Sequence, residues 1–371
     1  SMVDLLGRKE VELNRTSISK YIYGKKVLVT GAGGSIGSEL VRNCLTFDPS
    51  LLILLDQSEH NLFNIDRECS QNKHPVSFKP ILGDIRDKAL LHRVFSSFKP
   101  DVVFHAAAYK HVPMQEEHPW EAVFTNIQGT LNLMDVSEDY GVDRFVLVST
   151  DKAVNPTNIM GATKRVAEKL IQSKSIDSKV KYMAVRFGNV IGSSGSVIPT
   201  FQEQIRNGGP VTITNSKMQR YFMSISEAAQ LILQAGAMGS GGEVYVLDMG
   251  KPVNIKDIAY ELIRLSGLEP EKDISIEYIG SRPGEKLYEE LQTNDENILD
   301  TNHEKILMMK NENGYNWDHL LIKVDEITSS AKLYDINKVM DSLKTFIPEY
   351  EPDYAKDEDW VNETANKIIN Y

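Results

Sequence analysis

The chain has 371 residues, of which 41% are hydrophobic and 25% charged, and its formal net charge at pH 7 is −11. This acidic balance, without a long Lys/Arg block, argues against a nucleic-acid-binding protein, because such proteins neutralise phosphates with basic side chains. No apolar run approaches the roughly 20 residues of a membrane-spanning helix. The two cysteines, Cys44 and Cys69, give no disulfide framework and fit a reducing compartment. We therefore expect a cytoplasmic globular protein.

The first half of the chain alternates short apolar runs with helical patterns. Near-continuous apolar runs are typical of strands that are buried on both faces of a parallel sheet. Their alternation with helices predicts an α/β fold, a Rossmann-type doubly wound parallel sheet. The predicted strands are KKVLVT (25–30), LLILLD (51–56), VSFKPIL (76–82), DVVFHAA (101–107), RFVLVST (144–150) and YMAVRF (182–187).

The pattern changes after the Gly/Ser-rich loop GSSGS (192–196), and shorter elements follow. These elements are a strand VTIT (211–214), a helix at 225–238, a strand EVYVLDMG (243–250) and a helix from about Asn254. We predict three regions, formed by five segments of the chain. They are an N-terminal extension (1–24), a dinucleotide-binding domain (25–196 with a return at 222–252), and a smaller substrate lobe in two parts (197–221 and 253–371).

A glycine-rich turn lies between the first strand and a helix that begins at about Ser35. In VLVTGAGGSIGSEL the glycines Gly31, Gly34 and Gly37 have the spacing GxxGxxG. Glycine tolerates a tight turn and lets backbone N–H groups approach a pyrophosphate at the helix N-terminus. The position between strand and helix predicts a dinucleotide site.

Two carboxylates at strand ends indicate which dinucleotide binds. Asp56 ends the second strand, 19 residues after Gly37. A carboxylate there accepts hydrogen bonds from the ribose hydroxyls and repels a 2′-phosphate, which predicts NAD rather than NADP. Asp84, in GDIRD (83–87), either meets the adenine amino group or caps the next helix.

The segment NPTNIMGATKR (155–165) places Met160 and Lys164 four residues apart, on one face of a helix. Many nicotinamide enzymes carry Tyr and Lys at this spacing, and the phenol transfers a proton. A thioether has no such proton. Either the site has lost its activity, or proton transfer depends on other residues.

The segment STDK (149–152) offers those residues. It places Asp151 and Lys152 at the carboxyl end of a strand, where the sites of parallel sheets lie. An acid and a base stand side by side there. On position alone, the two side chains could equally form a structural ion pair that caps the next loop.

Six motifs together make the chain resemble a known family. They are TGAGGSIG (30–37), HAAAYKHVP (105–113), STDKAVNPTNIMGATK (149–164), RFGNV (186–190), MQRYFM (218–223) and RPGEKLYEEL (282–291). The chain resembles the UDP-N-acetylglucosamine 4,6-dehydratases of the extended short-chain dehydrogenase/reductase class, which serve capsule, O-antigen and glycan biosynthesis. The likeness runs from about Asp4 to at least His303. One branch of this family carries Met in place of the Tyr, and Met160 identifies that branch.

The resemblance implies a set of binding residues. Asn189, Arg220 and Arg282 would hold the UDP-sugar, since guanidinium groups suit phosphates, although without the resemblance either Arg could form a surface ion pair. Glu285 either joins them or braces Arg282. No residue is assigned to a metal. The residues implied for the cofactor are Gly31, Gly34, Ser35, Ile36, Gly37, Asp56, Asp84, Ile85, Ala106, Ala107, Lys110, Asn126 and Lys164.

The reaction implied by the resemblance begins with oxidation of C4 of the sugar by NAD. The ketone acidifies the C5 proton, water leaves across C5 and C6, and the hydride returns to C6 to give a 4-keto-6-deoxy sugar. We expect retention at C5. The alternatives are a C5-inverting dehydratase, a 4-epimerase, or a non-catalytic NAD-binding protein.

In this reaction Asp151 would protonate the leaving C6 hydroxyl and Lys152 would remove the C5 proton. These roles predict a raised pKa for Asp151 and a lowered pKa for Lys152. Thr150 would bind the C4 hydroxyl, Lys164 the nicotinamide ribose, and Met160 would line an apolar pocket. The acceptor of the C4 proton stays open between Asp151, Lys152 and a water held by Thr150.

Two expectations concern the larger assembly. Related enzymes usually pair through helices on the flank of the sheet, so we expect a homodimer or a higher homo-oligomer. Many family members carry membrane helices ahead of the region that matches this chain, and Ser1 before Met2 suggests a cloning remnant. We therefore expect that a membrane region can precede the chain in the natural protein.

Overall fold

The computed structural model describes residues 11–71, 75–293, 298–309 and 316–352. A mixed sheet forms its centre, and the strands of that sheet are β1 (Lys26–Thr30), β2 (Leu51–Asp56), β3 (Ser77–Leu82), β4 (Val102–His105), β5 (Arg144–Val148), β6 (Lys181–Arg186), β11 (Glu243–Leu247), β14 (Ile298–Asp300) and β15 (Ile306–Met309). Their order is β14-β15-β11-β6-β5-β4-β1-β2-β3. The pairs from β3 to β11 are parallel, and β15 and β14 add antiparallel. The predicted doubly wound α/β fold is confirmed.

Helices cover both faces of this sheet. They are α1 (Arg15–Ile22), α2 (Ser35–Leu45), α3 (Glu59–Gln71), α4 (Lys88–Phe98), α5 (Val112–Glu117), α6 (Pro119–Ala122), α7 (Thr130–Asp139), α8 (Ile159–Lys174), α9 (Val197–Arg206), α10 (Ile225–Met238), α11 (Ile255–Leu265), α12 (Trp317–Lys332) and α13 (Ile336–Phe346). A π-helix (Val123–Gly129) leads into α7, and a 3-10 turn (Asp151–Ala153) follows β5. Within the described ranges, no helix combines the length and apolar character needed to cross a membrane.

Two apolar layers hold the helices to the sheet. One layer joins α1, α2, α3 and α10 to one face, and the other joins α4, α7, α8, α12 and α13 to the opposite face. The central strands are buried on both sides, as their apolar sequences predict. The strand predicted at 76–82 differs, because β3 lies at the sheet edge and stays largely exposed, with Leu82 57% exposed.

A smaller lobe contains α9 and α11 with short strand pairs. Its strands are β8 (Val211–Ile213), β9 (Gln219–Arg220), β12 (Val253–Asn254) and β13 (Ile276–Tyr278); β8 pairs with β13 and β9 with β12. The remaining short pair is β7 (Asn189–Val190) with β10 (Phe222–Met223). A third apolar cluster, including Phe201 and Leu262, fills this lobe.

The range 253–371, assigned to the smaller lobe from the sequence, contains elements of both parts. Its strands β14 and β15 extend the main sheet at the free edge of β11. Its helices α12 and α13 pack on α8 and on the π-helix, on the flank of the sheet. Residues 1–10 and 353–371, which belong to the predicted terminal regions, lie outside the described residues.

Candidate active site

The glycine-rich turn forms a close-fitting cradle between β1 and α2. A Cβ atom on Gly37 would lie 1.9 Å from the carbonyl oxygen of Gly31, and a Cβ atom on Gly31 would lie 2.8 Å from the backbone of Ala107. Gly31 also has a φ of 63°, which favours glycine. Gly34 is the N-cap of α2 and has no side chain, so no capping side chain occupies the N–H groups of Ser35 and Ile36 at the helix N-terminus. The cradle therefore fits a dinucleotide pyrophosphate.

Asp56 at the end of β2 faces this turn. Its Oδ2 accepts a hydrogen bond from the N–H of Gly33 at 2.9 Å, and its Oδ1 accepts one from the N–H of Ser58 at 2.8 Å. These contacts fix the carboxylate, and a carboxylate oxygen has a second lone pair for a ribose hydroxyl. The geometry fits the predicted preference for an unphosphorylated ribose.

Asp84 and Ile85 follow β3. Asp84 binds the backbone N–H and the guanidinium of Arg86 at 2.9 and 2.7 Å. The alternative that Asp84 caps the next helix is wrong, because Asp87 caps α4 by accepting from the N–H of Leu90. Ile85 is buried against Gly129 of the π-helix.

The segment after β4 lies against the glycine-rich turn and forms the other wall of the candidate cofactor groove. Ala106 and Ala107 are held by Thr30, whose carbonyl and hydroxyl oxygens accept from their N–H groups. Asn126 is buried in the π-helix, where its amide binds the N–H and the carbonyl of Tyr109 at 2.9 and 3.0 Å. Asn126 thus fixes the backbone next to Lys110 through contacts within the protein.

The Gly/Ser-rich loop 192–196 bridges the two sides of this groove. The Nζ of Lys110 donates to the carbonyl of Ser194 at 3.1 Å, and the N–H of Ser194 donates to the Oγ of Ser35 at 3.3 Å. A single backbone position of the loop therefore joins the wall after β4 to the N-terminus of α2.

The predicted acid–base pair is formed at the end of β5. Lys152 Nζ lies 3.0 Å from Asp151 Oδ1, and the Thr150 hydroxyl donates to the same oxygen at 3.0 Å. Asp151 is 1% exposed, and its N–H donates to the carbonyl of Phe187 after β6. The backbone of two neighbouring strands thus holds a buried carboxylate against an amine.

Two further side chains complete the surroundings of Lys152. Asn189 Oδ1 lies 3.2 Å and Glu289 Oε1 lies 3.4 Å from Lys152 Nζ. The same Glu289 oxygen is 3.6 Å from Arg220 Nε. Glu289 was missed in the sequence analysis, although it lies within the quoted motif RPGEKLYEEL.

The pKa shifts of Asp151 and Lys152 follow from their burial and from the charged groups next to them. Burial raises the pKa of Asp151, and Lys152 only partly opposes it, so the predicted direction is confirmed. The predicted lowering of the Lys152 pKa is wrong. Burial favours the neutral amine, but the carboxylates of Asp151 and Glu289 outweigh it and raise the pKa of Lys152.

The first turn of α8 packs on the 3-10 turn Asp151–Ala153, the candidate catalytic turn. Asn158 caps the helix by accepting from the N–H of Gly161 at 2.7 Å, and a Cβ atom on Gly161 would lie 2.1 Å from the carbonyl oxygen of Lys152. Met160 is 3% exposed. Lys164 Nζ donates to the carbonyl of Val148 at 2.7 Å, and burial lowers the pKa of Lys164 to about 8.

The residues implied for the UDP-sugar differ in exposure. Arg220 is buried, and its Nη1 donates to the carbonyl oxygens of Gln219 and Leu287, so it forms no surface ion pair. Arg282 is exposed, and its guanidinium forms no hydrogen bond or ion pair within the described ranges. Glu285 Oε2 is buried and accepts no hydrogen bond there, so it does not brace Arg282 in this structure.

Comparison with known proteins places this geometry in a family. The family model described as "Polysaccharide biosynthesis protein" matches residues 27–311. The chain belongs to this family. The matched range of this chain contains the glycine-rich turn, the Asp151–Lys152 pair and Glu289.

Curated relatives of this family match over most of the chain. The capsular polysaccharide biosynthesis protein CapD of Staphylococcus aureus is 51% identical over 331 residues, which are 89% of this chain and 55% of CapD. A UDP-N-acetylglucosamine 4,6-dehydratase (inverting) of Campylobacter jejuni is 33% identical over 74% of this chain and 80% of that protein. The chain spans about half the length of the first of these relatives.

Solved structures support the same fold. A double mutant of the dTDP-glucose 4,6-dehydratase of Streptomyces venezuelae, solved with NAD bound, is 25% identical with a TM-score of 0.64. The match covers 72% of this chain and 88% of that enzyme. The fold of this family therefore occurs in a sugar-nucleotide dehydratase that binds NAD.

Proposed function

We propose that the chain is an NAD-dependent UDP-N-acetylglucosamine 4,6-dehydratase, a lyase for bacterial surface glycan biosynthesis. The observation that carries this proposal is the 3.0 Å contact between Lys152 and the buried Asp151 at the carboxyl end of β5. An elimination needs an acid and a base side by side, whereas an epimerase does not. The Campylobacter relative named as a dehydratase of this sugar nucleotide supports the substrate.

NAD is the cofactor of the proposed reaction. The cradle at Gly31, Gly34 and Gly37 would hold its pyrophosphate, Asp56 its adenosine ribose, and Lys164 its nicotinamide ribose. When bound, NAD would supply a hydride acceptor for the oxidation of C4 and a hydride donor for reduction at C6, and the C4 hydroxyl proton would pass to Asp151, Lys152 or a water held by Thr150. The NAD-bound Streptomyces dehydratase supports this assignment.

The contact between Asp151 and Lys152 can supply both the protonated acid and the neutral base that the elimination needs. A proton that moves from Lys152 Nζ to Asp151 Oδ1, along their 3.0 Å contact, gives a neutral amine and a carboxylic acid together. The net charge of the pair does not change; the raised pKa of Asp151 favours this transfer, and the raised pKa of Lys152 opposes it. Lys152 then takes the C5 proton, and Asp151 donates to the C6 hydroxyl as water leaves.

The other residues orient the sugar nucleotide. Arg220 and Arg282 would bind its diphosphate and uridine, and Asn189 would fix the sugar from beside Lys152. Thr150 would hydrogen-bond the C4 hydroxyl. Met160 takes no part in proton transfer and lines the pocket. We assign the reaction to the cytoplasm and expect a homo-oligomer.

The first experiment is mass spectrometry of UDP-N-acetylglucosamine incubated with the purified chain, with and without added NAD. A product lighter by one water, without net NADH, is expected. An epimerase would leave the mass unchanged while altering the sugar NMR spectrum, and the same spectrum of a dehydrated product distinguishes retention from inversion at C5. Unchanged substrate despite demonstrable NAD binding would contradict the proposal and favour a non-catalytic protein.

A further inference from the structure

The side chain of Lys152 is surrounded by oxygens from separate parts of the chain. An ammonium group has three donors, and three side-chain oxygens lie around this one. Asp151 Oδ1 is at 3.0 Å, Asn189 Oδ1 at 3.2 Å and Glu289 Oε1 at 3.4 Å. Glu289 comes from the segment that follows the smaller lobe's strand β13, so it links that segment to the catalytic turn.

Glu289 has features of a residue whose interactions are incomplete without a ligand. Its side chain is 3% exposed. Its Oε1 serves both Lys152 and Arg220, while its Oε2 is buried and accepts no hydrogen bond within the described ranges. Buried carboxylate oxygens are normally satisfied, so an orphaned oxygen in a site indicates a donor that arrives with the substrate. A sugar hydroxyl or the N-acetyl N–H is such a donor.

We propose that Glu289 is a positioning residue of the dehydratase site, which holds the Lys152 amine against Asp151, ties it to Arg220, and receives a hydrogen bond from the bound sugar. This inference rests on the proposed function and deepens it. The shared oxygen Oε1 connects the base to the side chain implied for the substrate phosphates. Placement of the nucleotide and placement of the base are therefore coupled through one carboxylate.

The charge of Glu289 also acts on Lys152. The charged groups that face Lys152 are Asp151 from its own turn, Glu289, and Arg220 from β9. Lys286 faces Glu289 from the other side. Loss of the Glu289 charge leaves Asp151 as the one carboxylate beside Lys152, opposed by burial and by Arg220. The pKa of Lys152 must then fall.

Glu289→Gln tests this effect, with Glu290→Gln as the matched control. Glu290 is the next residue and carries the same charge, but it is exposed and pairs with Lys286 at the surface. Trace acetylation at a series of pH values, read at the Lys152 peptide by mass spectrometry, reports the ionisation of this amine in the NAD-loaded protein. We expect the Glu289→Gln midpoint to lie about 1–3 pH units below the wild-type value, and that of Glu290→Gln to be unchanged. An unshifted midpoint in folded Glu289→Gln overturns the proposal.

Glu289→Asp tests positioning separately, because it keeps the charge and shortens the reach. We expect it to lower kcat on UDP-N-acetylglucosamine about tenfold or more, since misplaced catalytic groups slow reactions by up to about a hundredfold. A wild-type kcat in Glu289→Asp also overturns the proposal. The acetylation curve does not depend on turnover. A wild-type chain without dehydratase activity would therefore refute the proposed function, while the acetylation curve would still decide the contact between Glu289 and Lys152.

Discussion

At the scale of single residues, Met160 offers no proton for transfer, and the adjacent side chains of Asp151 and Lys152 are the titratable groups that could replace it. The buried helix position that carries Tyr in related enzymes is apolar here. In the proposed reaction, proton transfer depends instead on Asp151 and Lys152, whose Oδ1 and Nζ atoms are 3.0 Å apart. Burial raises the pKa of the Asp151 carboxyl group, and the carboxylates of Asp151 and Glu289 raise the pKa of the Lys152 amine.

Asp151→Asn should separate elimination from the preceding oxidation. The amide keeps the shape of the side chain and still accepts from Lys152, but it cannot deliver a carboxylic acid proton. We expect kcat for dehydration to fall by about 10²–10⁴. Oxidation at C4 should persist and appear as absorbance of bound NADH after substrate addition.

Asp143→Asn is the control for this prediction. Asp143 is half-exposed at the opposite end of β5, where it lies near Arg144 and Lys181. It should leave dehydration unchanged. Wild-type turnover by Asp151→Asn would show that another group protonates the leaving hydroxyl.

At the scale of elements, the N-terminus of α8 sets the position of the catalytic turn. Asn158 caps the helix and also donates to the carbonyl of Gly284 in the RPGEK segment. Gly161 leaves room for the carbonyl of Lys152, which a Cβ atom would approach to 2.1 Å. The helix, the turn and the RPGEK segment are therefore in direct contact and form one unit.

Gly161→Ala should damage this unit. In an exposed helix interior, Gly to Ala stabilises a protein by about 1 kcal/mol. At this position the added methyl group must push the Lys152 backbone away from its place. We expect a lower free energy of unfolding in urea and a loss of kcat with NAD affinity largely kept. Increased stability with normal kcat would contradict this prediction, because it would show that the turn can shift away from the added methyl group without loss of stability or activity.

The sequence predicts those elements whose signals are local. Apolar runs predict the central strands, and the glycine spacing predicts the turn into α2 almost to the residue. Contacts between distant segments carry no such signal. The edge position of β3, the addition of β14 and β15 to the sheet, and the approach of Glu289 to Lys152 all depend on packing that no short motif encodes. Only the second cause of the raised Lys152 pKa, Glu289, is such a distant contact, because the larger cause is the adjacent Asp151.

At the scale of the whole molecule, a buried ion pair ties the site to the core. Arg186 of β6 and Glu168 of α8 are both fully buried and form two hydrogen bonds, at 2.8 and 3.1 Å. Ser149 also donates to Glu168 at 2.6 Å, directly before the catalytic turn. Burial opposes the charge of Glu168, but Arg186 outweighs it and lowers the pKa of Glu168 to about 2.

This pair predicts a window of acid sensitivity. Because the folded pKa is lowered, the stabilisation is complete above the ordinary value of 4.5 and is lost as the pH falls toward 2. Glu168→Gln should reduce the free energy of unfolding at neutral pH by about 3–5 kcal/mol and flatten its decline below pH 4.5. Urea unfolding across this range measures both effects. Glu269→Gln, which breaks an exposed pair with Lys272, should change little, and an equal loss in both variants would contradict the prediction.

The flank of the sheet bears on assembly. Helices α12 and α13 pack on α8 and on the π-helix and cover this flank of the sheet. We expect any homo-oligomer of this chain to use another surface. Cross-linking with mass spectrometry of the purified protein should therefore give intersubunit links away from α8. Links between two copies of α8 would show that α12 and α13 move aside.

The loop that carries Ser194 has a consequence for how the protein handles its cofactor over time. Most dehydrogenases release the reduced dinucleotide after every cycle and therefore need an open path between the cofactor site and solvent. In the proposed dehydration the hydride returns to the same sugar, so nothing has to leave except the product and water. A loop whose backbone is hydrogen-bonded to both Ser35 and Lys110 across the groove would then not lower the turnover rate. In the proposed reaction this loop would keep one dinucleotide bound over many successive substrates.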